Sequence, residues 1–255
     1  MYPTSCPAKL EGVWLKVQRG QEHIEAYEDL VDVLRKAQPY EFFPECDLDT
    51  HDKIWRVRGE PKTPTSRVSV IVGDSIQNMR SALDHLAWQL VLQAGNTPDN
   101  RTAFPLESWP KAYRKRAPSK LDGMTPEMKA MVKATQPCYG VNPYINKVLG
   151  WLEDLNNIDK HRRLHLTFAG AIGGMWVPGL PMNASGEVMI YEGPVEDGTI
   201  LARVPEKHMD VEFGPFFDVT LPAGGPAAGE RVLSVLIGIR EMVRRVIERF
   251  TTEFF

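Results

Sequence analysis

One segment, GDSIQNMRSALDHLAWQL (Gly73 to Leu90), gathers Arg80, Asp84 and His85. An arginine keeps its charge and can bind phosphate through paired N–H donors, and a histidine exchanges a proton near neutral pH. Together they suit phosphodiester chemistry. His85 would be the general acid/base toward a ribose 2′-hydroxyl, and Arg80 would stabilise charge on the phosphate. Asn78 and Asp84 join them as candidate substrate contacts. At about 100° per residue, Arg80 and His85 lie about 140° apart on a helix and flank its apolar seam. Arg80 and Asp84, at i and i+4, can pair on one face. The plainer reading is therefore structural: Arg80 held by Asp84, with His85 packed or facing water.

A second cluster, NNIDKHRRLH (Asn156 to His165), ends another helical pattern. Cations there meet the negative end of the helix dipole, which accounts for Lys160 and Arg163. His161 and Arg162, just before a strand-like run, are better site candidates. If the two helices are neighbours, Arg80, His85, His161 and Arg162, with Lys160 beside them, would line one locally cationic pocket. A metal alternative uses His85, His161 and His165, because His161 and His165 would chelate from one helical face if the helix ran on. The first reading requires no cofactor.

The bulk numbers narrow the classes. The chain has 255 residues, a formal net charge of −3, 43% hydrophobic and 25% charged residues. That allows a sizeable core and excludes a global basic field for nucleic acid, so any polyanion site must be local. No apolar run is long enough to span a bilayer, and the N-terminus lacks the basic-then-apolar pattern of a secretion signal. Cys6, Cys46 and Cys138 form no CxxC pair, which fits a reducing, cytoplasmic setting. No P-loop, GxGxxG or GxSxG is present.

The elements that must position these residues follow from periodicity. Val13, Val17, Ile24, Tyr27, Val31 and Leu34 predict a helix over 10–37, and Val72, Ile76, Met79, Leu83, Leu86 and Leu90 one over 66–94. Thr125-Pro126 and Asn142-Pro143 read as helix starts, for helices over 125–136 and 143–163. A last helix over 227–251 carries Val232, Val235, Ile239, Met242, Val246 and Phe250. Residues 96–123 have no clear period and read as irregular, with YRKRAPSK a basic surface run. Strand-like alternation marks 40–60, as a hairpin, and 164–221. The expected fold is α+β but mostly α: one domain, 1–255, with about four long helices in a bundle and an inserted antiparallel sheet.

The R-x4-H spacing of Arg80 and His85 resembles the signature of the HEPN superfamily, many of whose members are metal-independent endoribonucleases. The resemblance implies a HEPN-like helical bundle and a homodimer in which Arg and His of two protomers meet in a shared cleft. It also implies RNA or a nucleotide as partner, and products ending in a 2′,3′-cyclic phosphate and a 5′-hydroxyl. At the level of phrases, GDSIQNMRSALDHLAWQL, AFPLE (Ala103 to Glu107), ATQPCY (Ala134 to Tyr139) and LNNIDKHRRLH, in that order, resemble a family of uncharacterised bacterial and phage proteins. Two other readings stand beside the nuclease. One is a non-catalytic binding or assembly module in which the Arg-Asp-His cluster is a buried polar network. The other is a histidine-metal hydrolase that resembles the DinB-like bundles.

Overall fold

The computed structural model describes residues 7–36, 41–59, 66–170, 189–190, 193–194, 197–206 and 217–255. Its helices are α1 (Glu11–Lys36), α2 (Ser66–Gln93), α3 (Pro110–Lys120), α4 (Pro126–Ala134), α5 (Pro143–His161) and α6 (Val232–Phe254). Its strands are β1 (Glu41–Cys46), β2 (Lys53–Arg58), β3 (Thr167–Gly170), β4 (Met189–Ile190), β5 (Gly193–Pro194), β6 (Ile200–Val204) and β7 (Phe217–Thr220). The architecture is α+β and mostly helical, with four long helices, α1, α2, α5 and α6, and the strands of 167–220 inserted before the last of them.

The chain divides into two compact units. The helical unit comprises 1–28, 69–164 and 232–255; the strand unit comprises 29–68 and 165–231.

In the helical unit the long helices form where period and caps demand them. All six seam positions of α2, Val72 to Leu90, are at most 1% exposed. Burying each such side chain contributes about 1.5–3 kcal/mol. The α6 seam from Val232 to Phe250 is buried throughout. Thr125 caps α4 by accepting the Met128 N–H, and Asn142 caps α5 by accepting those of Tyr144 and Ile145. A proline follows each cap at the first helical position, where its missing N–H costs nothing. Helices α1 and α2 approach closely at Gly20, whose carbonyl accepts the buried Ser75 hydroxyl at 3.0 Å. A Cβ at Gly20 would run into Met79, so the small residue sets this approach.

Three expectations need correcting. Residues 110–120, read as irregular, form α3. Only Tyr113 and Ala117 of that helix are buried, so its apolar face is one i, i+4 pair, too short to show a period, and Pro118 lies inside its last turn. Helix α6 begins at Val232 rather than 227, because Ala227 and Gly229 take positive φ (54° and 75°) in the turn before it. Helix α5 ends at His161, where Arg162 turns extended with φ −161° and ψ 152°.

Among the described residues, the strand unit holds two small antiparallel sheets, ordered β1-β2-β6-β4 and β5-β3-β7. The expected hairpin is β1 with β2, in a register that sets Pro44 against Trp55. Arg203 on β6 ties the hairpin turn, pairing with Asp47 at 2.7 Å and Asp52 at 3.0 Å. Its hydrogen bonds hold both carboxyls below their usual range. Asp218 on β7 is 5% exposed and faces Arg35 at 3.2 Å and Arg231 at 3.8 Å. The parts of the strand-like run at 171–188 and 207–216, together with Cys6, lie outside the described residues.

Candidate functional site

Arg80 is the node of the helical unit. It is 5% exposed, and all of its nitrogens face protein partners. Nη2 donates to the Phe104 carbonyl at 2.7 Å. Nη1 lies 2.8 Å from Asp84 Oδ1, and Nε lies 3.3 Å from Glu153 Oε2 on α5. Only the bond to Phe104 is an aligned hydrogen bond; Nη1 and Glu153 Oε2 meet their partners as ion pairs without hydrogen-bond geometry. Asp84 Oδ1 in turn accepts the Phe104 N–H at 2.9 Å.

One helical turn of α2 thus holds both backbone groups of Phe104. The i, i+4 spacing of Arg80 and Asp84 puts a donor and an acceptor side by side, matched to the carbonyl and amide of one residue. Phe104 is fully buried and meets Phe250 of α6 edge to face, with centroids 5.9 Å apart. The clamp therefore seats an aromatic plug against the last helix.

The neighbouring phrases join the same framework. Gln136 Oε1 accepts the Glu107 N–H at 3.1 Å, and the Glu107 carbonyl accepts the Cys138 N–H at 3.3 Å. The Glu107 carboxylate, 5% exposed as a residue, meets Arg116 at 3.2 Å and Lys120 at 3.9 Å. Tyr113 packs edge to face on Tyr139, and burial, with Tyr139 and Cys138 nearby, pushes its phenol up to about 12. AFPLE and ATQPCY are thus two strips of backbone bound to each other and to α2.

The expected pocket of Arg80, His85, His161 and Arg162 is not brought together. Glu153 lies beside Arg80, and the Asp159 carboxylate lies where a Cβ of Gly73 would stand. Arg80 and Gly73 are seven residues, about 10 Å of helix axis, apart. His161 and Arg162 lie beyond Asp159, past the Gly73 end of this packing, and both are exposed. His85 lies in the opposite direction along α2 and is also exposed. A Cβ at Gly12 would stand 3.8 Å from its Nδ1, so α1 borders it. Asn78 is bound to its own helix, with Nδ2 donating to the Asp74 carbonyl at 2.8 Å. Lys160 is an exposed cation in the last turn of α5.

The second cluster has a different centre from the one expected. Asn156 is 1% exposed, and neither amide atom has a hydrogen-bond partner among the described residues. Asp159 is pushed up from the ordinary carboxylate range by burial first and by Asp74 second. His23 of α1 is lowered by burial, then by Arg19, with Asp74 opposing.

The metal alternative loses its helical spacing. His165 follows the end of α5, so His161 and His165 do not share a helical face. Among the described residues no group of three or more His, Cys, Asp or Glu could hold a metal ion.

Among the described residues, a groove and a cleft open in the helical unit. A polar groove of about 640 Å³ between α1 and α6 is lined by Trp14, Gln21, Glu22, Arg240 and Glu241, among others. Its arginines are held by neighbouring side chains: Arg240 donates to Gln21, and Arg244 pairs with Glu241 and Glu248. A smaller cleft of about 160 Å³ lies where the loop after α4 and the start of α5 meet α6. Ile145, Leu149, Met242 and Val246 line it, with Arg245 and Arg249 beside them. Sequence reasoning passed over both arginines and Glu153, which look like ordinary charged-face residues of α6 and α5.

No protein-family model matches the chain, and searches of curated proteins and of solved structures likewise find no match. No helix among the described residues is long and apolar enough to cross a membrane.

Proposed function

We propose that the helical unit is a non-catalytic binding module, and that Arg80 with Asp84 is a structural clamp. One observation carries this reading: the Arg80 guanidinium is sealed and spent on Phe104, Asp84 and Glu153. A phosphate-binding arginine needs free donors facing a substrate. Drawing Arg80 out would strand two carboxylates and a buried carbonyl, at a cost of several kcal/mol.

The competing proposal is the HEPN-like, homodimeric ribonuclease. In its favour, His85 is exposed on the helix that carries the R-x4-H spacing. The test compares wild type, Arg80→Ala and His85→Ala on mixed RNA in EDTA, with unfolding curves for all three. The binding-module reading expects no cleavage by any of them, a large stability loss in Arg80→Ala and none in His85→Ala. Cleavage by wild type that disappears in a folded His85→Ala overturns it.

A further inference from the structure

The cleft on α6 has the make-up of a ligand site. Its floor is apolar: Leu149 is fully buried, Met242 is 4% exposed and Val246 7%. No carboxylate lines it, and two arginines do. Arg245 is oriented by Glu241, which accepts its Nε at 2.9 Å. Arg249 is exposed and has no ion pair or hydrogen-bond partner among the described residues. Elsewhere on α6, Arg244 is paired with Glu241 and Glu248, and Arg240 is hydrogen-bonded to Gln21. Arg249, one turn beyond Arg245, is left with its charge unanswered beside an apolar hollow.

The wall opposite α6 is fixed. Asn146 Nδ2 donates to the Gly140 carbonyl at 2.7 Å and holds the 140 turn against α5. Asn142 is occupied as the cap of α5, so its side chain also stays in place. A preformed hollow of this kind loses little ordering entropy when filled.

We propose that this cleft binds a small amphipathic carboxylate, with an aromatic ring or short acyl chain on the floor and its anionic head between Arg245 and Arg249. Size selects the body: an apolar cavity of about 150 Å³ accommodates a benzene-sized group. Charge selects the head: a guanidinium presents paired donors matched to a carboxylate. This deepens the reading of the helical unit as a binding module and rests on it.

The probe is benzoate, titrated into the full chain while the methyl resonances of Ile145, Leu149, Met242 and Val246 are followed, with benzyl alcohol as the uncharged control. Saturable shifts confined to those methyls are expected, with benzyl alcohol at least tenfold weaker. Arg249→Glu lies on an exposed position that the fold does not use, and it should abolish the shifts with its unfolding curve unchanged. Ile145→Trp, which fills the hollow, should do the same and leave the arginines in place. Absence of shifts in wild type, or equal binding by Arg249→Glu, overturns the proposal. Either result leaves the Arg80 clamp standing, because RNA cleavage and the Arg80→Ala unfolding curve decide that question.

Discussion

Arg80 and Arg249 stand in the same helical unit, and their surroundings are opposite. Arg80 is 5% exposed and ringed by a carbonyl and two carboxylates; Arg249 is exposed beside an apolar hollow with no acid lining it. The arginine in the suggestive sequence motif is committed to holding the fold. The one in an ordinary-looking charged stretch keeps its donors. A motif tells which side chains are close in sequence, and only burial and pairing tell which still have donors to offer.

The sharpest way to break the comparison is to remove Arg80. Arg80→Ala leaves Asp84 and Glu153 as uncompensated charges and frees the Phe104 carbonyl inside the unit. The expected loss is about 3–5 kcal/mol, read from denaturant unfolding. Arg80→Lys should recover only part of it, because an ammonium's three donors share one nitrogen and cannot span partners that Nε, Nη1 and Nη2 meet separately. Arg249→Ala should change stability by less than about 0.5 kcal/mol. Comparable losses at both sites would erase the distinction.

The second way uses the close pack of α2 on α5. A methyl at Gly73 would collide with the Asp159 carboxylate, so Gly73→Ala should cost about 1–3 kcal/mol by overpacking. Asp159 itself should work the other way. Burial and Asp74 raise its folded pKa, so the unfolded chain gives up its proton first as pH rises. Stability therefore falls as pH climbs from the ordinary carboxylate value to the raised one, and the cost is complete at neutral pH. Asp159→Asn should raise the melting temperature at pH 7 and lose that advantage below the ordinary carboxylate range. A melting temperature lowered at pH 7 would mean that the carboxylate makes a bond the fold needs.

Much of this fold was legible in the sequence, and the reasons are local. A seam of threes and fours is written in the chain itself, so α1, α2 and α6 could be read from Val13, Val72 and Val232 onward. Caps such as Thr125 and Asn142 act on residues two or three places away. The Arg80–Asp84 pair was equally legible, as an i, i+4 spacing. Its targets were not. Phe104 is 24 residues from Arg80 in a stretch without a period, and Glu153 lies on another helix. Helix α3 was missed because two buried residues make no pattern. The α6 cleft was missed because it exists only once the loop at Val141 and Asn142 folds beside Arg245 and Arg249. What sequence could offer was the order of the phrases AFPLE and ATQPCY, which the structure ties together through Gln136 and Glu107.

Glu241 tests the cation row on α6. Arg244 first and Arg245 second hold its carboxyl down to about 2. Its stabilising contribution is therefore full above the ordinary carboxylate value and is lost as pH falls from there toward 2. Both arginines are substantially exposed, so the two pairs together are worth about 0.4–2 kcal/mol. Glu241→Gln should sit below wild type by that amount at pH 7 and meet it near pH 2. It should also loosen Arg245 and weaken benzoate binding by less than Arg249→Glu does. A stronger effect than that of Arg249→Glu would make Arg245, held by Glu241, the main anchor of the cleft.

The smallest expected effect comes from the other half of the R-x4-H spacing. His85 is exposed and makes no described hydrogen bond, so His85→Ala should move stability by less than about 0.5 kcal/mol. The near-silence of His85 against the large cost at Arg80 separates two residues that sequence had joined. Sedimentation of the same variant sharpens the point. If two copies met across this face, removing an imidazole that borders Gly12 would shift their association, because position 12 carries no side chain to fill the gap. An unchanged monomer–dimer balance leaves Arg80 explained by the fold alone. A shifted balance would assign His85 to an interface between copies, where a histidine and a partner's cation could meet without Arg80 leaving its clamp.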